Sequence, residues 1–190
     1  MTSPGMRILF AGATGVLGRA TLPHLARHDV VGLTRSREKQ QLLLDLGAEA
    51  VVCDVYDYQT LLRVVRRVQP SIVVNFLTDL SARSVEANTR VRREGGANLL
   101  NAAKATGATR LVVESVAFAL RSDAASALEE LERATTAFPG DGVILRFGRL
   151  WGPGTWYDVP PQPPAIHIDE AGAEAARLLT RAPTGTYVVT

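Results

Sequence analysis

Cysteine occurs once in this chain, at Cys53. A single thiol cannot close an internal disulfide, and its place in an apolar, strand-like run reads as a buried, inert side chain. Histidine occurs three times, as His24, His28 and His167, never beside cysteines or acids at ligand spacing, so no metal site is expected. No apolar run is long enough for a membrane-spanning helix. The opening MTSPG is too short and too polar for a signal peptide. No membrane partner is therefore expected, and a cytoplasmic location is the default. Lysine is nearly missing: Lys39 and Lys104 are the only two. Arginine is abundant, yet acids bring the net charge to only +2. Arg63, Arg66 and Arg67 fall on one predicted helix and Arg90, Arg92 and Arg93 on another. Such groups form either a phosphate or nucleic-acid surface or a solvated helix face. Without zinc-ligand spacing, a helix-turn-helix pattern or an RNA-binding aromatic motif, the solvated face is the expectation, with no nucleic-acid partner.

The 190 residues suit one domain with a full core, spanning 1–190. The chain is organised around MRILFAGATGVLG, Met6 to Gly18. Arg7 to Ala11 is short and mostly apolar, as a central parallel strand should be. Gly12, Gly15 and Gly18 follow at spacing three and three. A glycine turn between strand and helix gathers backbone N–H groups at one point of partial positive charge, which suits a pyrophosphate. Gly12 is assigned the tight turn, Gly15 the close approach of phosphate and Gly18 the packing of helix on strand.

Further along, strand and helix alternate. Val16 to Arg27 has helical spacing, with Pro23 expected to kink it or loosen a turn. Asp29 to Thr34 reads as a strand. Ser36 is placed as the cap of a helix that runs to Leu46 and stops at Gly47. Ala48 to Cys53 is a strand, and Asp57 caps a helix from Tyr58 to Val68. Ser71 to Phe76 is a strand, followed by a polar loop around Asp79 to Arg83. A long helix from Val85 to Thr106 carries Gly95-Gly96, expected to weaken it or permit close packing. Arg110 to Ala117 is a strand. Ser122-Asp123 caps a helix to Ala137, and Gly142 to Phe147 is a strand. Residues 148–166, rich in proline and glycine, form a loop over the expected cleft. A helix from Glu170 to Arg181 and a strand from Gly185 to Thr190 close the chain. The alternation implies an α/β fold, a Rossmann-like doubly wound parallel sheet with helices on both faces. Its ligand belongs at the carboxyl ends of the strands, near the switch point.

Several stretches together resemble a known family. They are Gly12-Ala13-Thr14-Gly15-Val16-Leu17-Gly18, Cys53-Asp54-Val55, RREGGANLLNAA from Arg92 to Ala103, and Arg146 to Gly154. His167 to Ala171 and Gly185 to Val189 also fit. The chain resembles the extended and atypical short-chain dehydrogenase/reductases, which include the NAD-dependent epimerase/dehydratases. The resemblance implies that Gly12, Thr14, Gly15, Val16, Leu17 and Gly18 cradle a dinucleotide. It also implies that Asp54 and Val55 contact adenine, and that Phe76, Leu77 and Thr78 line the path to the nicotinamide ribose. For Phe76 and Leu77 core packing is the alternative reading, and for Asp54 a turn. The strand from Asp29 ends in Thr34-Arg35-Ser36-Arg37 rather than in the acid that would hold the ribose of NAD(H). A guanidinium fork matches a phosphate, so Arg35, with Arg37, points to NADP(H) over NAD(H). The alternative is that both arginines are simply exposed at a helix start.

The family's chemistry runs through a Tyr-x-x-x-Lys pair, in which the tyrosine moves a proton and the lysine lowers its pKa. Here that pair is absent. No tyrosine stands four residues before a lysine, and Ala124 and Leu128 occupy the expected positions if Glu132 marks the usual glutamate. Ser115 fills the family's serine position. Glu114, Asp123 and Tyr157 are the nearest substitutes. Strand alternation turns Glu114 away from the face of Ser115, Asp123 suits a cap, and Tyr157 lies in the loop over the cleft. Trp151 and Trp156 offer an aromatic wall or simply pack the loop. The insertion and helices that build the family's substrate lobe are much reduced. The site is then shallow, is completed by a second copy in a homo-oligomer, or takes no substrate. Two function classes follow. One is an NADP(H)-binding reductase or isomerase of small-molecule biosynthesis, with Ser115 and Tyr157 as its catalytic candidates. The other is a non-catalytic NADP(H)-sensing or partner-binding module. A cofactor-independent enzyme on the same scaffold is a third.

Overall fold

The computed structural model describes residues 5–79, 84–120 and 122–190. Its first strand, β1 (Arg7–Ala11), is buried from Ile8 onward, as its apolar run requires. Helix α1 (Val16–Thr21) follows the glycine turn and passes at Pro23 into a 3₁₀ turn over Leu22–Leu25. Proline lacks the N–H that an α-turn needs at that point, so the expected single helix to Arg27 is tightened and shortened. Strand β2 (Asp29–Thr34) leads to α2 (Gln40–Asp45). This helix begins four residues later than its expected cap. The Ser36 hydroxyl bonds the Glu38 carboxylate instead of capping, and Lys39 takes the N-cap position without a side-chain bond.

Strand β3 (Glu49–Val52) and helix α3 (Tyr58–Val68) come next. Asp57 caps α3 by accepting from the Thr60 N–H at 3.1 Å. Strand β4 (Ile72–Asn75) is buried throughout. Residues 80–83 of the expected polar loop lie outside the described residues. The long helix is real but changes register. It comprises α4 (Val85–Arg90), a π segment (Val91–Gly95) and α5 (Gly96–Thr106). A Cβ at Gly95 would lie 3.0 Å from Val55, and one at Gly96 would lie 3.0 Å from Leu131. The glycine pair thus brings this helix close to its neighbours rather than breaking it. Strand β5 (Arg110–Val116), helix α6 (Ser122–Thr136) and strand β6 (Asp141–Phe147) follow. Asp123 is exposed inside the first turn of α6 and is not its cap; the side chain of Ser122 lies outside the description.

The segment read as a loop contains a two-stranded parallel sheet, β7 (Arg149–Trp151) with β8 (Ala165–His167). Helix α7 (Ile168–Arg181) starts from His167, whose Nδ1 accepts from the Asp169 N–H at 3.3 Å. Strand β9 (Gly185–Val189) ends the main sheet. That sheet runs β3-β2-β1-β4-β5-β6-β9, with every pair parallel. Strand order reverses between β1 and β4, so the crevice of a doubly wound sheet opens at their carboxyl ends. Each face has its own apolar layer. Ile8, Phe10, Val74 and Leu145 meet α1 and α7 on one side. Leu9, Val73, Val113 and Ile144 meet α3, α5 and α6 on the other. Among the described residues no helix is long and apolar enough to cross a membrane.

Ser115, Glu132 and Arg146 tie β5, α6 and β6 together. The fully buried Ser115 hydroxyl donates to Glu132 Oε1 at 2.5 Å. Arg146 donates to both oxygens of the same carboxylate, at 2.9 and 2.5 Å. The Arg146 hydrogen bond holds the Glu132 carboxyl below its ordinary range against the opposing effect of burial, and the Ser115 bond adds to it. Such a group stabilises the fold above its unfolded pKa, and the contribution is lost as pH falls through the lower folded value. Glu132→Ala is expected to lower unfolding free energy by about 2 kcal/mol at neutral pH, since it strands a buried hydroxyl and a half-exposed guanidinium. In urea titrations the difference from wild type should shrink below about pH 4, the ordinary glutamate range.

Candidate functional site

The site is built at the turn after β1. Gly12 has φ +91°, and a Cβ there would lie 2.2 Å from the carbonyl oxygen of Phe76. A Cβ at Gly18 would lie 2.3 Å from the carbonyl oxygen of Gly12. Both positions therefore exclude any side chain. Gly18 seats the helix on the turn itself, rather than on the strand as the sequence reading had it. Gly15 is the N-cap residue of α1, and its N–H donates to Gly12 O at 2.9 Å.

These elements enclose a cavity of about 530 Å³ at the carboxyl edge of the sheet. Gly12, Thr14, Gly15, Val16, Leu17 and Gly18 line it from the turn, and Phe76, Leu77 and Thr78 from the end of β4. Arg35 and Val55 line it from the ends of β2 and β3. Arg37 does not. It is exposed, because the chain after Ser36 winds into a turn before α2. Asp54 is also turned away. Its carboxylate accepts from the Tyr56 N–H at 2.9 Å and it is exposed, while Cys53, Val55 and Tyr56 face the cavity. The turn-forming alternative is the one the structure bears out for Asp54.

Ser115 and Tyr157 do not line the cavity either. Ser115 is committed to Glu132 on the α6 face. Tyr157 is 42% exposed, and its backbone is held to Trp151 and Gly152 by the fold of the loop on itself. Trp151 stacks edge-on with His167 at 4.5 Å, and Leu150 is the loop residue that reaches the cavity. Glu114 was expected to turn from the site because it alternates with Ser115. The alternation holds, but its outcome is the reverse: Glu114 faces the cavity and Ser115 does not. Ala124 and the buried Leu128 on α6 place no ionisable group there.

Sequence reasoning missed Arg19, Lys39 and Tyr56 as cavity residues. Lys39 lies four residues past Arg35, a spacing that could have suggested it. Arg19 follows Gly18 directly, and nothing in its neighbours marks its direction. Arg35 pairs with Asp79 at 3.7 Å, and Arg90 stacks on the Tyr56 ring at 4.2 Å. Burial pushes the Cys53 thiol up to about 11, which keeps it an inert thiol at neutral pH. At the β5 end the balance is different. Burial pushes the Glu114 carboxyl up to about 7, although the nearby Arg92 charge opposes the shift.

A glycine turn at the switch point of a parallel sheet, opening on a cavity with cations at the tip of β2, defines a dinucleotide-binding domain of Rossmann type. The family model for the NAD dependent epimerase/dehydratase family matches residues 8–119. The chain belongs to that family. A Streptomyces protein, 3-diazoavenalumate denitrifying reductase, is 35% identical in a match covering 80% of this chain and 59% of the relative. The chain thus spans about three fifths of the length of that relative. Among solved structures, the Bordetella bronchiseptica enzyme WbmG in complex with NAD superposes with a TM-score of 0.79 at 19% identity, over 99% of this chain and 73% of its own. A Bacillus halodurans protein described as an NAD-dependent epimerase/dehydratase gives 0.81 at 18% identity, over 96% and 92%. At those identities the likeness is one of fold.

The raised Glu114 value has a consequence for stability. The folded protein holds this proton longer than the unfolded chain, so wild type loses stability as pH rises from about 4.5 to about 7. Glu114→Gln removes that slope. Equilibrium unfolding should find the variant gaining on wild type across this window and level with it in slope above pH 8. A constant difference at every pH would refute the burial of a titrating acid.

Proposed function

We propose that this protein is an NADP(H)-dependent reductase of small electrophilic molecules, with residues 1–190 acting as one dinucleotide-binding unit and no Tyr-Lys pair. The observation that carries the cofactor half is the charge at the tip of β2. Arg35 and Lys39 line the cavity there, where an NAD(H) site of this type places an acid. Two cations at that point suit a 2′-phosphate, and the Cβ-free turn at Gly12 and Gly18 leaves room for a pyrophosphate beside Arg19. The residues present therefore fit the dinucleotide, which when bound supplies hydride. Arg35 and Lys39 hold its ribose phosphate, Val55 and Tyr56 flank the adenine, and Phe76, Leu77 and Thr78 border the path to the reacting end.

The reductase half is supported by the Streptomyces relative, whose name describes reductive loss of nitrogen from a diazo compound. Replacing a diazo group by hydrogen with release of dinitrogen consumes one hydride and one proton. That chemistry does not require a tyrosine, so Ala124 and Leu128 are compatible with it. A polar double bond such as a carbonyl has the same requirement. One observation favours a second reading: the positions of the Tyr-Lys pair hold no proton-moving group, as a non-catalytic NADP(H) sensor would allow.

Fluorescence titration with NADPH and NADH separates these readings. NADPH is expected to bind more tightly than NADH. Arg35→Ala and Lys39→Ala should each weaken NADPH about tenfold, roughly 1.4 kcal/mol, with NADH nearly unchanged. Equal loss for both cofactors rejects the 2′-phosphate assignment, and no binding at millimolar cofactor rejects both readings. Tight binding without NADPH oxidation across diazo compounds, aldehydes, ketones and enones selects the sensor.

A further inference from the structure

The inner end of the cavity holds an acid with no hydrogen-bond partner among the described residues. Glu114 lies near the carboxyl end of β5, paired in register with Leu145 of β6. It lines the cavity together with Phe76, Leu77, Val91 and Leu150. This end is across β1 and β4 from Arg35 and Lys39, since β2 and β5 lie on opposite sides of the switch point. Among the described residues nothing hydrogen-bonds the Glu114 carboxyl. The carboxylates elsewhere near the sheet are committed: Glu132 to Ser115 and Arg146, Asp141 to Arg110 and Thr184. A carboxyl that opens on a cavity and bonds nothing among the described residues is available to a ligand.

Arg92 adds a second observation. It is only 7% exposed, and no described residue pairs with it or accepts a hydrogen bond from it. Its position is set by the π segment Val91–Gly95, whose Val91 lines the same cavity. π-bulges of this kind recur at functional sites. Arg92 and Glu114 feel each other's charge, and no other charged group has a resolved influence on Glu114. The remaining charges facing the cavity are Arg19 from α1, Arg35 and Lys39 beyond β2, and Asp79 beyond β4. Glu132 and Arg146 sit on the opposite face of β5 and are bonded to each other. At the reacting end, then, Glu114 is the single acid among the described lining residues, and the buried Arg92 is the cation whose charge reaches it.

We propose that Glu114 is the catalytic proton donor of this site and that Arg92 is its positioning residue, together replacing the absent Tyr-Lys pair. This rests on the NADP(H) reductase reading. In the step, the Glu114 O–H bond breaks and its proton goes to one atom of the substrate as hydride bonds to the electrophilic atom. For a carbonyl, the proton goes to the oxygen that takes the π electron pair, and hydride goes to carbon. For a neutral diazo compound, the proton goes to the diazo carbon, after which hydride displaces dinitrogen from it. Glu114 is left as a carboxylate stabilised by the Arg92 charge and regains a proton from water.

The test reads the carboxyl directly, by infrared difference spectroscopy on protein labelled with ¹³C-glutamate. Glu114→Gln identifies the band, with Glu114→Asp as the second assignment if the glutamine variant does not fold. The band is followed against pH in the free protein, with NADPH and with NADP⁺. The oxidised nicotinamide carries a positive charge that the reduced ring lacks. A carboxyl touching it should therefore titrate about one pH unit lower with NADP⁺ than with NADPH. Arg92→Met should raise the midpoint of the free protein by about one unit, and Arg92→Lys should restore most of it. A Glu114 midpoint indifferent to the oxidation state of bound cofactor overturns the assignment, while the reductase reading stands. If fluorescence shows that neither cofactor binds, that reading fails and the Glu114 proposal falls with it. A purely structural Glu114 would not follow the charge of the nicotinamide.

Discussion

Backbone meets backbone at the turn after β1, and the rest of the site depends on that contact. The carbonyl of Phe76 crowds Gly12, and the carbonyl of Gly12 crowds Gly18. These approaches leave no volume for a Cβ, so they fix the path of the chain between β1 and α1. They also bring the end of β4 against the turn at the point where the sheet order reverses. The cavity is what remains between the turn and the splayed ends of β2, β3, β4 and β5. Its shape is decided by main chain, which makes it a rigid place to hold a ligand.

Around this frame, charges divide into two kinds. Glu132 with Arg146 and Asp141 with Arg110 are pairs that close contacts between elements, and their hydrogen bonds keep the carboxylates ionised. Lys39, Arg19 and Glu114 open on the cavity instead, as does Arg35, which also pairs with Asp79 there. The cations gather at the β2 tip and turn, and a desolvated acid lies at the β5 end. That polarity runs along the direction in which a dinucleotide extends across a doubly wound sheet. Ala124 and Leu128 place no ionisable group at the cavity, whereas Glu114 on β5 does.

The sequence and the structure part at particular residues. Asp57 capping α3 was legible, because the effect is local to a few residues; the site of disturbance at Pro23 was legible too, although the turn there tightens into a 3₁₀ turn where a kink or a loosened turn was expected. The strands of the main sheet were assigned rightly for the same reason, since continuous apolar runs bounded by turns leave little choice. Ser36 was misplaced as a cap because its hydroxyl had a nearer partner in Glu38. Arg37 and Asp54 were wrongly turned inward because a loop residue has no periodicity from which to read direction. The small sheet of β7 and β8 was missed because its two strands pair across an interval of proline and glycine that hides strand pattern.

Sequence by itself determined the order of elements, the parallel sheet, the glycine turn and the absence of the Tyr-Lys pair. Each of these follows from residue type, spacing or local hydrogen bonding. Tertiary structure decided which side of β5 faces the cavity. Alternation says only that Glu114 and Ser115 point opposite ways. It takes the packing of α6, with Glu132 bonding the serine, to turn Ser115 towards that helix and leave Glu114 at the cavity. The burial of Arg92 was likewise beyond sequence, because it lies in a π segment whose change of helical register no local residue pattern marks.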